Sequence, residues 1–153
     1  MEKVELKIDY VVFEDSFPAG YEHVCQAARE ATRQAYNPYS RFAVGAAVLL
    51  ANGEIVTGSN QENIAYPSGL CAERVALFYA TSAYPGVKVN ALAIAALQGD
   101  VEVEKWVTPC GACRQVMTEI IRRYQSDFDV ILLSRRQGMM VKASSLLPFA
   151  FSM

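Results

Sequence analysis

The sequence predicts an α/β fold, a three-layer α/β/α sandwich around a central mixed sheet of about five strands. Short apolar or alternating runs take turns with longer runs of helical period, in the order β-α-β-β-α-β-α-β-β. Asn52-Gly53 lies between two apolar runs as a hairpin turn. Pro18 and Pro109 stand where helices are expected to begin.

In chain order, residues 4–13 alternate apolar and charged side chains, as a short strand or an extended arm does. Helical spacing runs from Pro18 to about Ala35 and is broken by Asn37-Pro38-Tyr39-Ser40. Ala43 to Leu50 is small and β-branched, and the chain returns as a strand over Glu54 to Thr57. Asn60 to Leu70 reads as a loop, Cys71 to Ala83 as a helix and Val87 to Leu97 as a strand. Thr108-Pro109 reads as the cap and first turn of a helix reaching Tyr124. Asp129 to Ser134 is an apolar strand, and Gly138 reads as a turn into a last strand over Met139 to Ala143.

The chain has 153 residues, which fits a single domain over 1–153. Residues 1–16 are open to two readings, an added strand or a subunit-contact arm. With 52% hydrophobic and 20% charged residues the protein is expected to be globular. A formal charge of −2 gives no overall attraction to a polyanion, so no nucleic-acid partner is expected. The short basic pairs Arg122-Arg123 and Arg135-Arg136 read as a helix end and a turn. The charged N-terminus lacks the apolar run of a signal peptide, and no stretch is long enough to span a membrane. Four cysteines in such a chain read as reduced thiols, and the expected location is the cytoplasm.

Chemistry concentrates in two stretches, Cys71-Ala72-Glu73-Arg74 and Thr108-Pro109-Cys110-Gly111-Ala112-Cys113. Three thiolates make a zinc site with one open tetrahedral position, at which a water can be activated. Both clusters fall where helices begin, and a helix N-terminus favours the thiolate. Three thiolates nevertheless leave the site anionic, and Arg74 and Arg114 are the nearby charges that could offset it. Glu73 is two residues from Cys71, a spacing that shares no helix face unless Cys71 opens the helix. In that case the carboxylate reaches the open position and serves as a proton shuttle. Otherwise it complements the helix dipole.

Two other readings of the thiols remain. Cys25 could close a structural four-cysteine site, although its setting among Val24, Ala27 and Ala28 suits a buried thiol. Cys110 and Cys113 could instead form a redox pair, which leaves Cys71 and Glu73 unexplained. His23 reads as a solvated helix residue.

The C-x-E…P-C-x-x-C layout is a variant of the zinc deaminase signature, and the chain resembles the small homotetrameric cytidine deaminases. Pro38-Tyr39-Ser40-Arg41-Phe42-Ala43-Val44-Gly45-Ala46-Ala47 is similar to their P-Y-S-x-F-x-V-G-A-A segment. Asn60-Gln61-Glu62-Asn63 with Ala65-Tyr66 resembles N-x-E-N-x-x-Y, and Pro109 to Gln115 resembles P-C-G-A-C-R-Q. Leu146-Leu147-Pro148 to Phe151 resembles the family's ending.

The resemblance implies one zinc per chain on Cys71, Cys110 and Cys113, with Glu73 as proton shuttle. It implies ribose contacts from Asn60 and Glu62, a ring against the pyrimidine from Phe42, and a base contact from the Ala72 amide. Tyr66 and Phe151 would contribute across subunit interfaces of a homotetramer. Arg74 would moderate the thiolate charge. The implied reaction is hydrolytic deamination of cytidine and 2′-deoxycytidine, by attack of the activated water at C4, within pyrimidine salvage. Ser59 and Gln61 depart from the family pattern beside the ribose loop. A deaminase of another nucleoside, or a non-catalytic four-cysteine zinc module, is the alternative.

Overall fold

The computed structural model describes residues 1–153. Its regular elements are β1 (Tyr10–Glu14), α1 (Glu22–Ala31), β2 (Phe42–Leu50), β3 (Ile55–Ser59) and α2 (Ala72–Ala83). Then follow β4 (Val89–Gln98), β5 (Val101–Glu102), α3 (Gly111–Tyr124), β6 (Asp129–Leu133) and β7 (Gln137–Lys142). The sheet runs β1-β7-β6-β4-β2-β3, with β5 paired to β4. Only β4 and β6 are parallel, so the sheet is mixed, as expected.

The sheet has seven strands, close to the five or so expected. One addition is β5, a two-residue pairing too short to leave a sequence pattern. β1 falls at the end of the stretch read as a short strand or an extended arm, and it adds to the edge through β7 (Tyr10↔Val141 to Glu14↔Gln137). Residues 1–9 lie beyond it in no regular element.

Alternation along the strands builds two cores. Ala47, Ala91, Ala93, Ala95, Ile131 and Leu133 face α1, whose buried stripe is Val24, Cys25, Ala28 and Ala31. Ala46, Val48, Leu92, Ile94, Val130 and Leu132 face α2 and α3, which contribute Ala76, Leu77, Met117 and Ile120. Helices on both faces make the three-layer sandwich. Gly58 sets how closely α2 approaches: a Cβ there would stand 2.6 Å from the amide nitrogen of Ala76 and 2.8 Å from the carbonyl oxygen of Ala72. The first turn of α2 therefore lies directly on β3.

Several boundaries differ from expectation. α1 begins at Glu22 rather than Pro18 and ends in a 3-10 turn over Thr32–Gln34. The α3 cap is Cys110, not Thr108. Gly138 lies inside β7, where a Cβ would enter the ring of Phe13 on the paired strand. Arg122 and Arg123 do close α3, and Arg135 and Arg136 do sit between β6 and β7.

Candidate metal centre and active site

Cys71 is the N-cap of α2 and Cys110 the N-cap of α3, both in extended conformation (ψ 149° and 166°). Neither side chain caps its own helix, which leaves both sulfurs free to converge. Their Sγ atoms are 3.8 Å apart, and Cys113, in the first turn of α3, lies 3.5 Å from Cys110. A tetrahedral zinc with bonds of about 2.3 Å separates its sulfurs by about 3.8 Å, so the trio fits zinc. No other group of histidine, cysteine or carboxylate side chains gathers in this way.

Within the trio the thiols polarise one another. Cys71 is held down to about 5, chiefly by the Cys113 thiol and then by Arg74 and Cys110. The Cys71 thiolate in turn pushes the Cys113 thiol up. Arg74 donates from its guanidinium to Cys71 Sγ at 3.6 Å. Arg114 does not share that role. It donates to the carbonyls of Pro109 (2.8 Å) and Leu146 (2.9 Å) and to the Thr108 hydroxyl (3.1 Å), tying the start of α3 to the C-terminal segment.

Cys25 lies on α1, in the core on the opposite face of the sheet, with no exposure at all. The sheet stands between it and the trio, so it cannot complete a four-cysteine site. His23 is exposed, as expected.

Glu73 occupies the second position of α2, as its spacing from an N-terminal Cys71 requires. It is only 6% exposed. Burial pushes its carboxyl above the usual carboxylate range, and the negative charge of Cys71 adds to this. The carboxyl lines a cavity of about 220 Å³ with Phe42, Val44, Ala72, Ile94 and Cys71. A second, more open cavity of about 360 Å³ adjoins it through Asn60 and Cys71 and is lined by Tyr39, Glu62, Tyr66 and Arg74.

Asn60, at this junction, and Glu62, on the wall of the outer cavity, are held in bonded states that spacing did not reveal. The Asn60 amide donates to the Phe42 carbonyl (2.9 Å) and its oxygen accepts from the Val44 amide (2.7 Å). Glu62 accepts from the amides of Tyr39 (2.9 Å) and Ser40 (3.3 Å) and from the Ser40 hydroxyl. These bonds, the hydroxyl first, hold its pKa below the usual carboxylate value. Ser40 Oγ also accepts from the Phe42 amide at 3.0 Å. The main chain of Phe42 is thus held on both sides, and the residue sequence reasoning missed is Ser40.

Phe151 is 73% exposed and lines neither cavity of its own chain, while Tyr66, 80% exposed, sits at the rim of the outer one. Gln61 donates to Ser59 Oγ at 3.2 Å, so the two departures from the family pattern bond to each other.

Residues 19–124 match the family model described as the cytidine and deoxycytidylate deaminase zinc-binding region. The chain belongs to that family. It is 41% identical over 126 residues to a cytidine deaminase of Halalkalibacterium halodurans, covering 82% of this chain and 89% of the relative. It is 47% identical over 92 residues to the cytidine deaminase of Mycobacterium tuberculosis, covering 60% of this chain and 65% of that one. The fold agrees with the crystal structure of cytidine deaminase from Burkholderia pseudomallei, with TM-score 0.68, 38% identity, and coverage of 84% and 97% of the two chains. The M. tuberculosis cytidine deaminase structure matches with TM-score 0.68 at 35% identity, over 89% and 100% of the two chains. The chain is accordingly a hydrolase of the cytidine deaminase type, and its three-cysteine cluster lies inside the matched zinc-binding region. No helix is long and apolar enough to cross a membrane.

Proposed function

We propose that the protein deaminates cytidine and 2′-deoxycytidine hydrolytically, releasing ammonia and leaving uridine or deoxyuridine. The observation that carries this reading is the buried Glu73 carboxyl, which lines a cavity together with Cys71 of the thiol trio. Cys71, Cys110 and Cys113 would hold one zinc, which when bound supplies a Lewis acid that makes water a nucleophile at neutral pH. Glu73 would take a proton from the attacking water, pass it to N3 of the base, and then assist protonation of the departing amine. A carboxyl whose affinity for protons is raised by burial suits both halves of this transfer.

The inner cavity takes the pyrimidine, with Phe42 offering a ring face and the Ala72 amide a main-chain donor. The outer cavity takes the sugar. Asn60 stands at its junction with the inner one and Glu62 on its wall, and their hydrogen bonds hold the loop that a ribose hydroxyl would meet. Arg74 offsets thiolate charge through its contact with Cys71. Exposed Tyr66, Phe149 and Phe151 support a homotetramer in which neighbouring chains complete each site. Pyrimidine salvage in the cytoplasm is the matching physiological role.

Glu73→Gln tests the reading. The variant should keep its fold and zinc content yet release no ammonia from cytidine, and near-normal turnover would overturn the assignment.

A further inference from the structure

Residues 1–9 run out past the sheet. β7 ends at Lys142, where the chain leaves the sheet for a 3-10 turn over Ala143–Leu146, so no strand continues beside the arm. None of its backbone groups is hydrogen bonded, and all nine residues are exposed. The arm is two-faced, as an extended chain is. Val4, Leu6 and Ile8 share one face, exposed by 81%, 60% and 43%. Lys3, Glu5, Lys7 and Asp9 share the other, and Lys7 pairs with Asp9 at 3.3 Å on that side.

An apolar extended segment with two open edges is a template for another strand. We infer that the occupant is the same arm of a second copy, paired antiparallel with Leu6 opposite Leu6. In this register Lys3 faces Asp9, Val4 faces Ile8 and Glu5 faces Lys7, and the two-fold axis repeats each pair. From Lys3 to Asp9 every charge meets its opposite and every apolar side chain meets another, the combination that stabilises cross-strand pairs.

Neighbouring registers fail. A slip of two residues sets Glu5 against Asp9 and Lys7 against Lys7, or Lys3 against Lys7 and Glu5 against Glu5. A slip of one residue turns the apolar face against the charged one. Parallel in-register pairing sets each charge against its like.

A two-stranded ribbon alone is marginal, and this one is anchored. Glu2 of one copy faces Tyr10 of the other, on the free edge of β1, so each end of the ribbon continues into a sheet. The two Tyr10 residues then lie about 27 Å apart along the ribbon, which leaves the two bodies clear of each other. The contact uses no residue of either cavity and stands independently of the catalytic reading.

The test is mild oxidation of the full zinc-loaded chain carrying Leu6→Cys, beside the wild-type chain, with covalent dimer read on a non-reducing gel. Facing residues on paired strands come within disulfide reach, so Leu6→Cys should give a dimer absent from wild type, and Ile8→Cys should not. Adding Lys7→Glu to Leu6→Cys should abolish the dimer, and adding Glu5→Lys as well should restore it. The inference is overturned if Leu6→Cys yields no more dimer than wild type, the outcome for an arm lying on its own subunit or on another protein. Equal cross-linking by Ile8→Cys, or indifference to Lys7→Glu, also overturns it.

Discussion

The side chain of Asn60 hydrogen bonds to the carbonyl of Phe42 at 2.9 Å, and so reaches from the end of β3 to the first residue of β2. With its second bond, to the Val44 amide, Asn60 satisfies two main-chain groups that strand pairing leaves open. The position of the ring facing the inner cavity therefore depends on an amide 18 residues away.

Asn60→Ala removes both bonds and strands a donor and an acceptor at the edge of the cavity. Stability should fall by about 1–3 kcal/mol, measured by urea unfolding. The KM for cytidine should rise more than kcat falls, because the pocket wall loosens while Glu73 and the thiols stay in place.

Cys110 gives its sulfur to the trio from an exposed position, whereas Cys113 is buried. Cys110→Ser should therefore fold but bind zinc far more weakly, since a hydroxyl is a poor substitute for a thiolate ligand. Metal analysis after dialysis checks this. Chelation of the zinc-loaded wild-type chain should lower its melting temperature, because a metal on the three thiols would tie the start of α2 to the start of α3.

Gly58→Ala places a methyl group against the backbone of Ala72 and Ala76. Backbone cannot yield as a flexible side chain does, so α2 must lift from β3, at a cost of about 1–3 kcal/mol. Cys71 and Glu73 ride on that helix, so activity should fall together with stability. Ala76→Gly in the same chain would not relieve the clash, because the atoms met at Ala76 and Ala72 belong to the main chain.

The Cys25 thiol is pushed up to about 12 by burial, from an ordinary value of 9.0. An acid whose folded pKa is raised favours folding fully below its unfolded pKa, and that contribution is lost as pH rises through the folded value. Stability should thus decline between about pH 9 and pH 12 through this thiol. Cys25→Ala should flatten that part of the pH profile in denaturant titrations, and a profile unchanged by the substitution would exclude the thiol as its source.

Local sequence determined much of this protein. The order of the main elements, the hairpin at Asn52-Gly53 and the three thiols at helix starts were legible, because periodicity, turn residues and helix capping act over a few neighbours. The spacing of Cys71 and Glu73 carried a geometric condition, and the helix starting at Ala72 meets it. Tertiary structure decided which side of the sheet each cysteine occupies, and that separates Cys25 from the trio. It also decided that Arg114 spends its guanidinium on carbonyls of Pro109 and Leu146 while Arg74 turns to Cys71. Both arginines follow a cluster cysteine directly or closely in sequence, so spacing alone could not tell them apart. The pairing of β1 with β7 and the bonds of Asn60 and Glu62 likewise join segments far apart in the chain. Such contacts depend on which backbone groups are left unpaired once the sheet and helices have packed, and that is a property of the assembled layers.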